Sequence, residues 1–282
     1  MAILHVARDV WSFLKDTLED EGFSSTQLGT IDMLFLFFYS AGLFVAGVVG
    51  DHFNFRYVLT LMFMLVGLAI LMTGFGYIWG IRGIWWYYLW QALHGLFQSG
   101  GFPLCIATMG AWFPKKGRGI ILGVWSATSP TGDIMGVQLA HLLFDELHFS
   151  WMWTYIVSGL IVLGYGVLLF FVLVDHPSRV GLEVLEHENA EGGRSTHSPN
   201  ATLARGDKLN LTRSDGTMTL RQPPQKAVTF WRAWLIPGVA AYAFSYLALK
   251  TTNLGINNWL PTYASEELHF NPDEKAQISS IY

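Results

Sequence analysis

Polar and ionisable side chains set inside apolar stretches are where this chain could do chemistry. Gln91, His94 and Gln98 interrupt a run that begins Trp85-Trp-Tyr-Tyr-Leu-Trp and continues to Gly110-Ala-Trp-Phe113. Asp32 lies near the start of another apolar run, Asp133 in the middle of a third, and Lys250 in a fourth that is otherwise free of charge. An ionised group in hydrocarbon is expensive, so such residues face a protein interior or a water-filled path, or pair with one another. Asp133 can meet Lys250 or take up a proton. Lys250 can pair with Asp32 or Asp133, or meet an anion. His94 is either a solute contact or a packed polar residue of a helix. The chemistry these residues suit is the binding and passage of a charged solute. No metal-ligand cluster, nucleophile elbow or phosphate-cradling glycine loop is present, and the single cysteine, Cys105, can build neither a disulfide framework nor a metal site. The residues therefore point away from an enzyme and require no cofactor and no metal.

The elements that must position these groups are membrane helices. Of 282 residues, 52% are hydrophobic and 13% charged, against about 25% charged in ordinary soluble domains. Apolar segments at 28–49, 57–77, 85–113, 119–144, 151–174 and 234–261 are each long enough to span a bilayer core. Ser24-Ser-Thr-Gln27 is a helix start signal, and His176-Pro177 closes the fifth span, because proline cannot continue a helix. Residues from 274 onward predict the first turns of a further helix. Between the fifth and sixth spans, residues 180–230 are rich in Glu, Gly, Ser, Thr, Asn, Asp and Arg and poor in aromatics. Such a segment cannot bury enough apolar surface to fold alone and predicts a disordered linker. Alternate turns carry Arg56, then Lys115, Lys116 and Arg118, then the basic residues of the linker. The excess of Lys and Arg places these turns in the cytoplasm.

A block of five spans, six if the apolar start is the tail of another, then a long cytoplasmic loop and a new block, is the plan of the major facilitator superfamily. The turn Gly47-Val-Val-Gly-Asp51-His-Phe-Asn-Phe-Arg56 resembles that superfamily's signature between its second and third helices, matching best at Gly47, Asp51 and Arg56. The hairpin is more specific. His94-Gly95-x-x-Gln98-x-x-Gly101-Phe102-Pro103, followed by Ala111-Trp112-Phe113 and Arg118-Gly119-x-x-x-Gly123-x-Trp125, resembles the organophosphate:phosphate antiporters and sugar-phosphate exchangers. So do Leu4-x-x-Ala7-Arg8, Glu21-Gly-Phe-Ser-x-x-Gln-Leu-Gly29 and Trp259-Leu-Pro-Thr-Tyr263, while Asp32, Tyr39 and Lys250 are similar to the eukaryotic members.

The resemblance implies an all-α membrane protein, a major facilitator bundle running from the tail of helix 1 to the start of helix 8. Residues 1–179 are expected to form the N-terminal half, 180–230 the linker, and 231–282 the start of the C-terminal half. The implied function is secondary active exchange of a phosphorylated small molecule, a sugar phosphate or glycerol phosphate, for inorganic phosphate by alternating access. Arg8 falls on the family's phosphate-gripping arginine, a role suited to its planar fork. Asn253 occupies the position of the second-half cation, with Lys250 one helical turn before it. Ser129 stands where bacterial members place a substrate histidine, a departure for which His94 and Asp133 could compensate, with Gln98, Trp125 and Tyr39 as candidate pore liners. Gly47, Asp51 and Arg56 are the implied gating turn, and Asp32 and Asp133 the candidate proton or ion-pair residues. Partners implied are the organophosphate, inorganic phosphate and the lipid bilayer, with no nucleic acid and a monomeric state. The endoplasmic reticulum or another endomembrane is favoured, with the plasma membrane as the other location. The alternatives are another anion or proton-coupled carrier of the same fold, or a membrane receptor or scaffold whose linker binds cytosolic partners.

Overall fold

Ser24 opens the first long helix with a reciprocal cap. Its hydroxyl accepts from the Gln27 N–H at 3.3 Å, and the Gln27 side-chain carbonyl accepts from the Ser24 N–H at 3.0 Å. In this computed structural model, which describes residues 1–113, 117–180, 211–214, 217–220, 232 and 234–281, helices dominate. They are α1 (Ala2–Phe13), α2 (Lys15–Asp20), α3 (Ser25–His52), α4 (Phe55–Ile78), α5 (Ile84–Gln98), α6 (Gly101–Trp112), α7 (Arg118–Ser126), α8 (Thr128–His141), α9 (Trp151–Val172), α10 (Val239–Glu266) and α11 (Pro272–Ile281). Among the described residues, α3 over Ser25–Gly47, α4 and α9 are long and apolar enough to cross a membrane. Their outer faces remain apolar, with Phe37, Phe44, Leu61 and Phe171 all exposed, as lipid-facing helices require.

Two single spans expected from the hydropathy, at 85–113 and 119–144, are each broken in two. The first breaks between α5 and α6 at Ser99-Gly100, the second between α7 and α8 at Ala127. The cause is proline. Pro103 has no N–H to offer the Ser99 carbonyl, and Pro130 none for the Ser126 carbonyl, so the helical ladder fails one turn upstream of each ring. The sixth span differs too. It begins at Val239 and continues past Pro261 to Glu266, where a stop at Pro261 was expected. The last helix starts at Pro272, two residues before the expected 274, with Asn271 and Glu274 capping each other at 2.9 and 3.0 Å.

Close approach of the helices depends on glycine. A Cβ on Gly67 of α4 would come within 2.8 Å of the Leu163 nitrogen and 2.9 Å of the Gly159 oxygen of α9. On α8, Gly132 faces the Ala2 carbonyl, and a Cβ on Gly136 would lie 2.5 Å from the Val6 oxygen. This Gly-x-x-x-Gly pair lets the α8 backbone press against α1, with Asp133 between the two glycines. Further pairs are α3 with α5, α4 with α5, α1 with α9, and α8 with α11. Val10, Leu14, Leu28, Val66, Ala140 and Val162 are fully buried at the centre of the core.

The chain divides into two compact units, residues 1–185 with 254–282, and residues 186–253. In the second, the described part holds a two-stranded antiparallel pair, β1 (Leu211–Ser214) with β2 (Thr217–Leu220), registered Leu211 to Leu220 through Ser214 to Thr217. It also holds the first half of α10. The rest of the expected linker, and Lys115 and Lys116 of the basic turn, lie outside the described residues.

Candidate functional site

The α1 sequence places ionisable groups on neighbouring turns of a helix buried against α8 and α9. Asp9 is 4% exposed. One Arg8 guanidinium nitrogen, Nη2, lies 3.7 Å from Asp133 Oδ1 and 4.0 Å from Asp9 Oδ1, and His5 Nδ1 lies 2.7 Å from the same Asp133 oxygen. One ligating atom from each of His5, Asp9 and Asp133 falls within 4.8 Å of the others. The guanidinium supplies there the positive charge that a cation would otherwise bring. Two groups in this cluster lack partners: the Arg8 Nε–H has no acceptor and Asp9 Oδ2 has no donor. Buried polar atoms are rarely left so.

Arg8 also lines an enclosed space with Trp11, Asp32, Gln91, His94 and Asn258. The void is about 20 Å³, room for a water and for nothing as large as a phosphate. His94 is buried, hydrogen-bonded through Nδ1 to Gln91 Oε1 at 3.1 Å, and edge-on to the Phe35 ring at 5.0 Å. Its Nε2 has no partner. Gln98 lies outside the void and donates to the Leu4 carbonyl at 3.3 Å, fastening α5 to α1. A separate apolar cavity of about 610 Å³ lies beside Met1, Cys105, Trp125 and Leu169. Its lining includes no charged side chain to attract an anion.

Asp32 is held on both oxygens, by Trp11 Nε1 at 2.7 Å and by Lys15 Nζ at 2.5 Å. Lys15 is fully buried, also donates to the Asn258 carbonyl at 2.9 Å, and sits 4.2 Å above the Trp259 ring. The partner that the spacing left open between Lys250 and others is thus Lys15 for Asp32, and His5 with Arg8 for Asp133. Lys15, Asp9 and His5 are the residues that sequence reasoning missed. Their signal was present: three ionisable groups within one short segment that also contains Arg8. Ser129 is half-buried in the first turn of α8, four residues before Asp133 and outside the void. Lys250 and Asn253 share α10 and belong to the second unit, where Lys250 is exposed, its ammonium 5.9 Å from the Tyr246 ring.

In the gating turn, Arg56 meets a backbone carbonyl. Its Nε donates to the Phe170 carbonyl at 2.6 Å, in the last turn of α9, and its guanidinium lies 5.2 Å from the Phe170 ring. A cation at a helix C-terminus satisfies carbonyls that have no intrahelical donor. Gly47 and Asp51 fall in the final turns of α3, and the Asp51 side chain lies outside the described residues. Arg118 acts similarly to Arg56, donating to the Gly110 and Phe113 carbonyls at 2.9 and 2.6 Å and closing the end of α6.

A helical bundle with apolar outer faces holds a largely buried arginine beside a small void, and the chain belongs to the Major Facilitator Superfamily, whose family model matches residues 4–282. It is a multi-pass membrane chain of a transporter family, not an enzyme. Curated relatives sharpen this. The chain is 31% identical over 260 residues to the glucose-6-phosphate exchanger SLC37A2 of Xenopus tropicalis, covering 90% of this chain and 51% of that protein. It is 33% identical over 260 residues to the human sugar phosphate exchanger 3, with the same coverage. It is 35% identical over 262 residues to the putative glycerol-3-phosphate transporter 1 of Arabidopsis thaliana, covering 90% and 47%. The chain therefore spans about half the length of these relatives. Among solved structures, a bacterial homologue of the human lysosomal transporter Spinster, inward-facing and unoccupied, superposes with a TM-score of 0.54 at 15% identity, over 62% of this chain and 41% of that one. That similarity bears on the fold alone.

Proposed function

We propose that this chain is part of a secondary carrier that exchanges a phosphorylated small molecule, a sugar phosphate or glycerol phosphate, for inorganic phosphate by alternating access. One observation carries the reading: Arg8 is largely buried beside a polar void, and its Nε–H has no acceptor. A phosphoryl oxygen is the natural acceptor for such a fork. His94 Nε2, also unpartnered on the wall of the void, offers a second polar contact. The printed functions of the relatives, exchange of glucose 6-phosphate or sugar phosphate and transport of glycerol 3-phosphate, support the same solute class. The small void is then a closed state that must widen to admit solute. The carrier works as a monomer in an endomembrane, with residues 1–179 as one rocking half.

The test is counterflow in proteoliposomes made with the complete open reading frame. Arg8→Gln is expected to lower exchange of external labelled phosphate for internal phosphate at least about a hundredfold, since a lost charged hydrogen-bonding pair at a midplane site costs about 3 kcal/mol or more. Exchange at the wild-type rate in Arg8→Gln overturns the reading. Lys250→Gln, chosen on the sequence resemblance, belongs in the same series.

A further inference from the structure

Counting charge around Arg8 gives an unexpected sum. Asp9 and Asp133 flank the guanidinium at 4.0 and 3.7 Å. With His5 neutral and both carboxyls ionised, one cation faces two anions, and the cluster is net negative. An incoming phosphate dianion would meet repulsion at the residue meant to receive it. Asp133 competes for the same guanidinium, 3.7 Å from its Nη2. Asp9 Oδ2, at a side chain 5% exposed, has no donor, so ionised it would be a buried acceptor left unsatisfied. A single proton on the carboxyl pair removes both faults: it cancels the excess charge and gives Asp9 Oδ2 a hydrogen to carry.

We propose that Asp9 and Asp133 form a proton-binding pair that controls Arg8, so that the carrier takes up a proton from water as it binds an oxyanion and returns it on release. This rests on the reading of Arg8 as the phosphate site. The groups facing the pair are Arg8 and His5 on its own helix; Asp133 itself comes from α8, and no charged group of α9 touches the cluster among the described residues. His94 of α5 and the Lys15–Asp32 pair line the void on the other side of Arg8 or border it. Lys15 and Asp32 already satisfy one another, His5 is engaged by Asp133, and Asp9 Oδ2 is the carboxylate oxygen of the cluster left without a donor, which assigns the proton to the Asp9–Asp133 pair. The arrangement comes from the fold. The two α8 glycines bring that helix close enough for Asp133 to reach across to His5 and Arg8.

Calorimetry on the purified product of the complete open reading frame tests this with sulfate, a phosphate-shaped dianion that does not titrate between pH 5 and 8. Titrations in two buffers of different ionisation enthalpy count the protons taken up per sulfate bound. The wild type is expected to take up about one proton, and its sulfate affinity to fall toward tenfold per pH unit above neutrality, as linkage requires for one proton. Asp9→Asn and Asp133→Asn, which keep the shape of each side chain, are expected to bring the count toward zero and flatten the pH profile. The wild-type count needs no variant to fold. Sulfate binding that is lost in Arg8→Gln but accompanied by no proton uptake in the wild type overturns the proton linkage and leaves the anion site standing. Binding unchanged in Arg8→Gln, or no anion binding by the wild type, overturns both. A wild-type pH profile retained in both asparagine variants moves the proton elsewhere and also overturns the proposal.

Discussion

Lys15 has 0% of its surface exposed, and every direction around its ammonium is accounted for: the Asp32 carboxylate, the Asn258 carbonyl and the Trp259 ring. Burying a charge is tolerable only with such partners. Removing one of them strands the other, so Lys15→Met and Asp32→Leu should each cost about 3–5 kcal/mol, while the two combined should recover much of the loss. Thermal unfolding in detergent measures this double-mutant cycle, and strictly additive losses would refute the pairing. Legibility in the sequence was uneven at this scale. Asp32, His94 and Asp133 stood out because each is a polar residue in an apolar run. Lys15 did not, because it lies in a mixed segment and its partners are 17 and 243 residues away. Periodicity reports only neighbours on the same helix, so it could rank residues as odd without saying which odd residues meet.

Pro103 and Pro130 illustrate the same limit among helices. Hydropathy reads straight through both, because proline does not change the apolar character of the run. The backbone responds to the missing N–H, and α5–α6 and α7–α8 each become two pieces. That signal was available and outweighed by span length. A cap fared better: Ser24 with Gln27 sits where the residue types place it. The sequence does not say which of its many glycines meets which backbone, and the partner of Gly136 is the Val6 carbonyl. Gly136→Val should push α8 from α1, lowering stability by about 1–3 kcal/mol as overpacked sites do. It should also weaken anion binding, since Asp133 and Arg8 lose their registration. Unfolding and sulfate titration on the same sample check both, and a variant as stable as the wild type would contradict the contact.

Across the molecule, the residues of the first block meet 254–282 at the end away from the basic turns. Asp16 pairs with Lys275 at 2.6 Å, His141 with Asp273 at 3.2 Å, and Gln138 donates to Ser280 at 2.9 Å. Glu266 at the end of α10 is pushed up to about 7, first by a shared hydrogen bond with the Glu19 carboxyl, then by burial and by the charges of Glu19, Asp16 and Glu267. Its ordinary value is 4.5, so the folded contact holds a proton that a separated chain releases. The contact is favoured at acid pH and is lost as pH rises from about 4.5 through about 7. Spin labels on Asp20→Cys and Glu267→Cys, in a Cys105→Ala background, should show a longer distance at pH 8 than at pH 5. Glu266→Gln should remove the change, and a distance indifferent to pH in the wild type would refute it. The block of spans and the superfamily plan were legible because each needs only hydropathy and a few motifs. This contact was not, because it joins segments at opposite ends of the chain.

A void of about 20 Å³ beside Arg8 also bears on leakage. A carrier of multiply charged solutes works against a membrane voltage, and any open thread of water through it would let small ions run down that gradient. An inorganic cation that keeps its hydration shell does not fit a space this size. The space does admit a water, a molecule able to hand a proton onward. Where Ile31, Phe35 and Leu254 line that space, a water-borne proton is told from a hydrated ion by volume before any charge is read.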